Sequence, residues 1–409
     1  MNLGALKSTN FRAYVFGSAF GLLAIWMQRI TIGWLAWEMT ESATMVGAVA
    51  FFLFAPSIVL SPLFGVWVDR MNVKRAVVVV QSLNAALSAA LWYFVASGTA
   101  SPFMLALFSL LFGVVMAANH PVRMALTPRL VRREFVGSVV TIVAINFNVA
   151  RMIGPAIGGF LISQVGVAHT LLIQWLLFLP YIVVLFRLSL RPRRETGSAQ
   201  EPFFQALGAG LKFVWKTVPV REAMFVAGVL ALVARGAMEV LPPLADGVFG
   251  KGASGLGILM SVTGAGSILG GFSQAVMAPQ EPGRLPLTTR LSIVLGLALV
   301  VGLGVTPTWE TALFVAAAMS FVTTVTAIST QTAIQLDLED DMRGRVMSLW
   351  AVIAAGGSAL GAALIGAMAD AIGLQKALIM MGSASTLLVG GYLVFMHYRR
   401  LAKERGFGG

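Results

Sequence analysis

Apolar stretches long enough to cross a lipid bilayer recur along the whole of this chain, and a chain built that way must use lipid as its solvent. A hydrocarbon core roughly 30 Å thick takes about 20 residues of helix. Twelve stretches meet that length, over 14–38, 46–68, 76–97, 103–120, 138–162, 168–188, 222–244, 255–277, 288–305, 311–332, 346–368 and 376–396. None alternates with period two, which sets a transmembrane barrel aside. With 58% hydrophobic and 11% charged residues, the chain has too few charges for a water-facing surface. The first apolar stretch is too long for the core of a cleavable signal, so no removed leader is expected.

Orientation follows from charge. Of the 29 Lys and Arg, Arg29, Arg151 and Arg235 fall inside spans, and Lys251 and Lys376 fall in loops that an even number of crossings places outside. All the others collect on the opposite side, so both termini are expected in the cytoplasm. The net charge of +12 then reads as a positive-inside signature and an attraction to anionic lipid, not as a nucleic-acid footprint. The absence of Cys excludes disulfides, thiolate metal sites and thiol catalysis.

One long polar interruption, from Arg187 to Arg221, lies near the midpoint. It divides the chain into a six-helix half over 1–190, a linker over 191–220 and a second six-helix half over 221–409. Within the linker, Phe204, Leu207, Leu211 and Val214 recur at helical spacing beside Lys212 and Lys216, the pattern of a short amphipathic helix on the cytoplasmic leaflet. The halves also echo each other. Gly154-Pro-Ala-Ile-Gly158 in the fifth span is repeated as Gly357-Ser-Ala-Leu-Gly361 in the eleventh, almost half the chain later. The expected fold class is an all-α membrane protein of twelve transmembrane helices in two pseudo-symmetric six-helix bundles.

Between spans two and three the sequence reads Gly65-Val-Trp-Val-Asp69-Arg70-Met-Asn72-Val-Lys74-Arg75. This resembles the cytoplasmic loop signature of the major facilitator superfamily, with Asn72 where Gly is usual and Val73 where a basic residue is usual. A positive-inside loop explains Arg70, Lys74 and Arg75 but not a lone Asp at that spacing. Asp69 can cap a helix or pair with an arginine of the other half, and Asn72 tolerates a left-handed turn. In the fifth span Gly154-Pro155-Ala-Ile-Gly158-Gly159 resembles the superfamily's exporter motif, with Ala150 at a position usually Gly; small residues at this spacing also serve plain helix packing.

A wider likeness covers nearly the whole chain. Asn10-Phe-Arg12, Trp26-Met-Gln28, Trp34, Thr40-Glu-Ser42, Leu241-Pro-Pro-Leu-Ala-Asp246, Gly255-Leu-Gly257, Gly264-Ala-Gly266 and Arg343-Gly-Arg345-Val-Met-Ser-Leu-Trp350 look like the enterobactin-exporter-like branch of drug:proton antiporters. The resemblance implies the major facilitator fold in an inner membrane and proton-coupled export of a siderophore or drug-like molecule by a monomer.

Charges inside the spans are the candidate machinery. An arginine at mid-membrane costs roughly 2.5–3.5 kcal/mol on insertion scales, so three need a reason. Arg29 and Arg235 occupy equivalent first helices of the two halves and could clamp an anion between them; alternatively each pairs with a neighbour. Trp26, Arg29, Gly33 and Trp37 share a face that suits an aromatic ligand or simply packs. Arg151, beside Asn148, reads as either a ligand contact or a strut. Glu239, one turn after Arg235 and expected to be the only deep acid, is the candidate for proton coupling or a static ion pair. Asp246 and Asp370 read as interfacial. The acidic run Asp337 to Asp341 beside Arg343 and Arg345 reads as a solvated loop that joins Gly65, Asp69, Arg70, Lys74 and Arg75 in the cytoplasmic gate. The three His residues have no metal-ligand spacing, and no phosphate loop or catalytic triad is present, so no cofactor, metal or enzymatic activity is expected. Other readings are an organic-anion importer or exchanger and, from another class, a lipid-handling protein or sensor.

Overall fold

The computed structural model describes residues 4–191, 203–276, 285–338 and 340–404, and they contain helices and no strand. In chain order these are α1 (Thr9–Thr40), α2 (Ala43–Arg70), α3 (Val73–Ala96), α4 (Pro102–Leu126), α5 (Val136–Arg187), α6 (Phe203–Lys216), α7 (Val218–Leu230), α8 (Gly236–Glu239), α9 (Gly252–Val276), α10 (Leu287–Val305), α11 (Trp309–Leu336), α12 (Asp340–Ile372) and α13 (Leu374–Glu404). Ten of them are long and apolar enough to cross a membrane. One of the ten, the 52-residue α5, crosses twice, reversing at Gly166, whose φ of 81° suits a residue without Cβ. The segment from α7 through a π-helical turn (Ala231–Arg235) to α8 supplies one further crossing. The count of twelve crossings agrees with the sequence. Both termini therefore lie on one face, here the terminal face, and the α1–α2 turn lies on the opposite, connection face.

The internal repeat has a packing meaning. A Cβ on Gly154 would sit 2.6 Å from Trp26 Cβ, and one on Gly158 would sit 2.7 Å from Ile30 Cγ2, so α5 rests directly on α1. In the second half Gly357 meets Ala231 Cβ at 2.9 Å in the same sense, and Gly361 lies against the Leu232 carbonyl. Each motif seats its helix on the first crossing of its own half. Despite Pro155 and Pro180, the only non-helical backbone in α5 is at Gly166.

Between the halves α2 packs on α12 and α5 on α9. These contacts are tightest toward the connection face, where Gly47 lies against the Ala362 carbonyl, Gly366 against the Ala43 carbonyl and Gly159 against Gly257 Cα. Toward the terminal face Val59, Leu63 and Trp67 of α2 and Leu269, Phe272 and Val276 of α9 are exposed. The halves are closed at the connection face.

Two local expectations change. The fourth crossing does not stop before Pro121 but continues to Leu126, carrying Arg123 into the first-half bundle. Asn72 is not left-handed: at φ −70° and ψ 105° it is the extended N-cap of α3, its side chain accepting from the Lys74 and Arg75 amides.

Candidate functional site

From Arg29 to Trp37, one face of α1 meets the seventh crossing and the segment after it through side chains. Arg29 forms an ion pair with Glu239, a Cβ on Gly33 would sit 3.6 Å from Pro242, and the Trp37 indole donates to Asp246 at 2.9 Å. Arg29, Gly33 and Trp37 of the expected face meet the other half, while Trp26 packs against α5 of its own half. The Arg29 guanidinium also lies over two rings, 5.2 Å from the Trp26 centroid and 4.9 Å from Phe54, and Trp26 meets Phe147 edge-on at 5.6 Å.

Glu239 does not pair with Arg235, as one-turn spacing would have it. Arg235 ends a π-helical turn, Glu239 ends the short α8, and Val240 leaves helical geometry before Pro242 and Pro243. The extra residue per turn changes the direction in which each side chain leaves the helix, and π-turns of this kind recur at functional sites. Glu239 is thus turned to the first half. Arg235 makes no hydrogen bond or ion pair among the described residues. Its side chain keeps accessible surface, and the charges of Glu239 and Arg29 both act on it.

Arg151 completes the group. It bonds Ser267 of α9, whose hydroxyl lies 2.8 Å from that of Thr324 on α11, so it too bridges the halves. The charges of Arg29 and Arg235 both act on it. Three guanidinium groups and one carboxylate thus share an interhalf space with Trp26, Phe54 and Phe147, an arrangement with excess positive charge, aromatic faces and a single proton acceptor. Asn148 is half-buried and bonds the Ala144 carbonyl, with no bond to this group among the described residues.

The connection face is closed by two carboxylates that sequence spacing marked only as interfacial. Asp370, at the end of α12, accepts from the Ala43 amide at 2.7 Å, the Thr44 amide at 3.0 Å and the Ser42 hydroxyl, capping the N-terminus of α2 from the other half. Asp246 holds Trp37 with one oxygen and the Gly252 amide, 3.2 Å away, with the other. Gly159 of the expected exporter motif joins this seal by its contact with Gly257, while Gly154 and Gly158 serve packing within the half.

At the terminal face, Lys74 donates to the Phe186 carbonyl at 2.7 Å inside its own half, and Arg75 is exposed. Arg343 and Arg345 are each partnered. Gly65, Asp69 and Arg70 end α2 as backbone, and the Asp69 and Arg70 side chains lie outside the described residues, as do Glu339 and the side chains of Asp340 and Asp341.

Sequence reasoning missed two buried charges. Glu222, at the start of the seventh crossing, is 2% exposed, a buried acid at the end of the crossing and not at its depth. Arg123 lies in the first half beside Tyr14 and Tyr181, next to a small space lined by Gly21, Gln81 and Asn119 that is too tight for a water molecule.

Comparison with known proteins places this geometry among transporters. A family model described as a transmembrane secretion effector matches residues 2–405. The enterobactin exporter EntS of Escherichia coli O1:K1 is 26% identical over 428 residues, covering 99% of this chain and 96% of that protein, and EntS of Shigella boydii serotype 4 matches to the same extent. Among solved structures, the nucleoside transporter NupG superposes with a TM-score of 0.74 at 14% identity, covering 95% of this chain and 99% of that one. An inward-facing, unoccupied bacterial homolog of the human lysosomal transporter Spinster superposes with a TM-score of 0.70 at 16% identity, covering 95% of each chain.

Proposed function

Because the chain belongs to the transmembrane secretion effector family of major facilitator transporters, we propose that it exports a small amphipathic molecule, siderophore-like or drug-like, by proton-coupled alternating access. It is a multi-pass membrane transporter and not an enzyme. In this reading it is a monomer of the inner membrane with halves over 1–190 and 221–409 joined by a linker over 191–220, and the basic terminal face is cytoplasmic. The halves closed at the connection face then form an inward-open state.

The observation that carries the reading is the Arg29–Glu239 pair across the halves, stacked on Trp26 and Phe54 and flanked by Arg151 and Arg235. A hydroxylated aromatic ligand with some negative charge fits it. The ring replaces water over the Arg29 platform, hydroxyl donors reach Glu239, and the charge meets Arg235, which has no hydrogen-bond partner of its own. Coupling follows from competition for one carboxylate. A proton on Glu239 takes one of its two oxygens and its charge away from the ligand hydroxyls, so protonation weakens ligand binding and bound ligand disfavours the proton, as antiport requires. Asp69, with Gly65, Arg70, Lys74, Arg75, Arg343 and Arg345, closes the cytoplasmic side in the opposite state.

Arg235 favours a second reading, an organic-anion importer or exchanger that seats its ligand on that guanidinium. The two separate in proteoliposomes, where an exchanger gives counterflow driven by trapped anion alone. The direct test of the site is ligand-induced thermal stabilisation of the purified protein across siderophores, drugs, organic acids and lysolipids. Hydroxylated aromatic acids are expected to raise the midpoint, with the rise reduced by Arg235→Lys and abolished by Arg235→Gln, since a point charge loses the guanidinium fork. Stabilisation by lysolipid alone, or an unchanged response in Arg235→Gln, would remove the ligand from this site.

A further inference from the structure

The helix α6 meets the seventh crossing at a bend of 107°, close to a right angle, so it lies nearly in the plane of the membrane that the crossing traverses. Its inner face is already occupied. Gly210 packs against Leu349 and the Arg345 carbonyl of α12, and Val214 is buried in a cluster with Leu349, Val220 and Met224. The outer face is not. Leu211 and Trp215, one turn apart, are 54% and 75% exposed, and Lys212 and Lys216, also one turn apart, are exposed beside them. No carboxylate pairs with either lysine among the described residues. The expected single apolar face is therefore split, with Val214 turned inward and Leu211 outward; the side chains of Phe204 and Leu207 lie outside the described residues.

We infer that α6 is a docking element for anionic lipid. A Trp–Leu ridge flanked by lysines, carried on a helix parallel to the bilayer, fits the boundary between headgroups and acyl chains: the apolar pair enters the boundary and the lysine stems reach back to the phosphates. Water solvates the lysines but not the ridge, and a neutral headgroup layer takes the ridge but gives the lysines no counter-charge. An anionic leaflet satisfies both, at about 1 kcal/mol for each lysine near the surface. Because Gly210 abuts the start of α12, lipid held here also steadies the terminal-face end of the helix that packs on α2 across the halves. The inference rests on the crossings spanning a bilayer and on no particular substrate, so a failed transport assay leaves it standing.

The chain has no native Cys, so a single spin label at Leu211→Cys reports this face without background. The full-length protein is placed in phosphatidylcholine vesicles with increasing phosphatidylglycerol, and collisions of the label with oxygen and with a water-soluble nickel chelate are compared. The expected result is a label shielded from nickel and rich in oxygen collisions, increasingly so as phosphatidylglycerol is added. Lys212→Gln and Lys216→Gln should each raise the phosphatidylglycerol fraction needed for half of that change about fivefold. A label that stays nickel-accessible at every composition would overturn the inference, because the face would then meet water. A shielded label with no response to phosphatidylglycerol would overturn it as well, because the face would then be covered by neutral lipid or by another protein.

Discussion

Glu239→Gln is expected to stop export against a gradient while leaving ligand binding and downhill exchange in place. The glutamine imitates a permanently protonated carboxyl: it still offers one acceptor oxygen, so ligand binds with the weaker affinity of the protonated wild type, but it can no longer release a proton. Uptake into inverted vesicles under an imposed pH gradient should fall to background, and exchange of labelled for unlabelled ligand without a gradient should persist. Ligand affinity in the wild type should decline as pH is lowered, because protons compete for the same oxygens, and the variant should lose that dependence. The substitution also leaves Arg29 without its ion-pair partner. Removing one member of a buried pair costs about 3–5 kcal/mol when both are fully buried. Here the Arg29 side chain keeps 28% exposure and rests on two rings, so the loss should be smaller. The double change of Arg29 and Glu239 to Gln removes both charges; it should recover stability without recovering coupling. Normal pumping by Glu239→Gln would make the pair structural.

The second large effect concerns the connection-face seal. Asp370→Ala removes an acceptor that caps α2 through two backbone amides and the Ser42 hydroxyl. A helix cap is worth about 1–2 kcal/mol, and each 1.4 kcal/mol is tenfold in an equilibrium. The variant should therefore shift about five- to thirtyfold toward the state open at the connection face. Spin labels at Thr99→Cys and Lys376→Cys, both exposed on that face and in different halves, read the shift as growth of a longer-distance population. An unchanged distance distribution would mean that the glycine contacts alone hold the face closed.

Much of this was legible because lipid imposes simple rules. Each crossing must be long and apolar, so the spans stood out, and small residues must mark close crossings, so Gly154, Gly158, Gly357 and Gly361 pointed to their own packing. The face of Trp26, Arg29, Gly33 and Trp37 followed from helical period alone. What escaped depended on departures from regular helix or on contacts between distant segments. The ion-pair partner of Glu239 was misread because helical spacing points to Arg235 one turn back, whereas Arg29 comes from the other half at a sequence separation of 210. Pro121 looked like a helix end but lies inside α4, which hid Arg123. Asp246 and Asp370 show no local sign of their partners, which come from the other half at sequence separations of 209 and 326 to 328.

Competition between ligand and proton at the Arg29–Glu239 site underlies the proposed coupling. Its most direct measurement uses the wild-type protein in sealed proteoliposomes loaded with a pH-sensitive dye and given a stabilising ligand on the face of the basic loops. Entry of the ligand should drive protons out of the vesicle in fixed proportion, and an imposed outward proton gradient should concentrate the ligand inside. Ligand accumulation that is unchanged when the gradient is collapsed, with no proton movement in the opposite direction, would contradict the account.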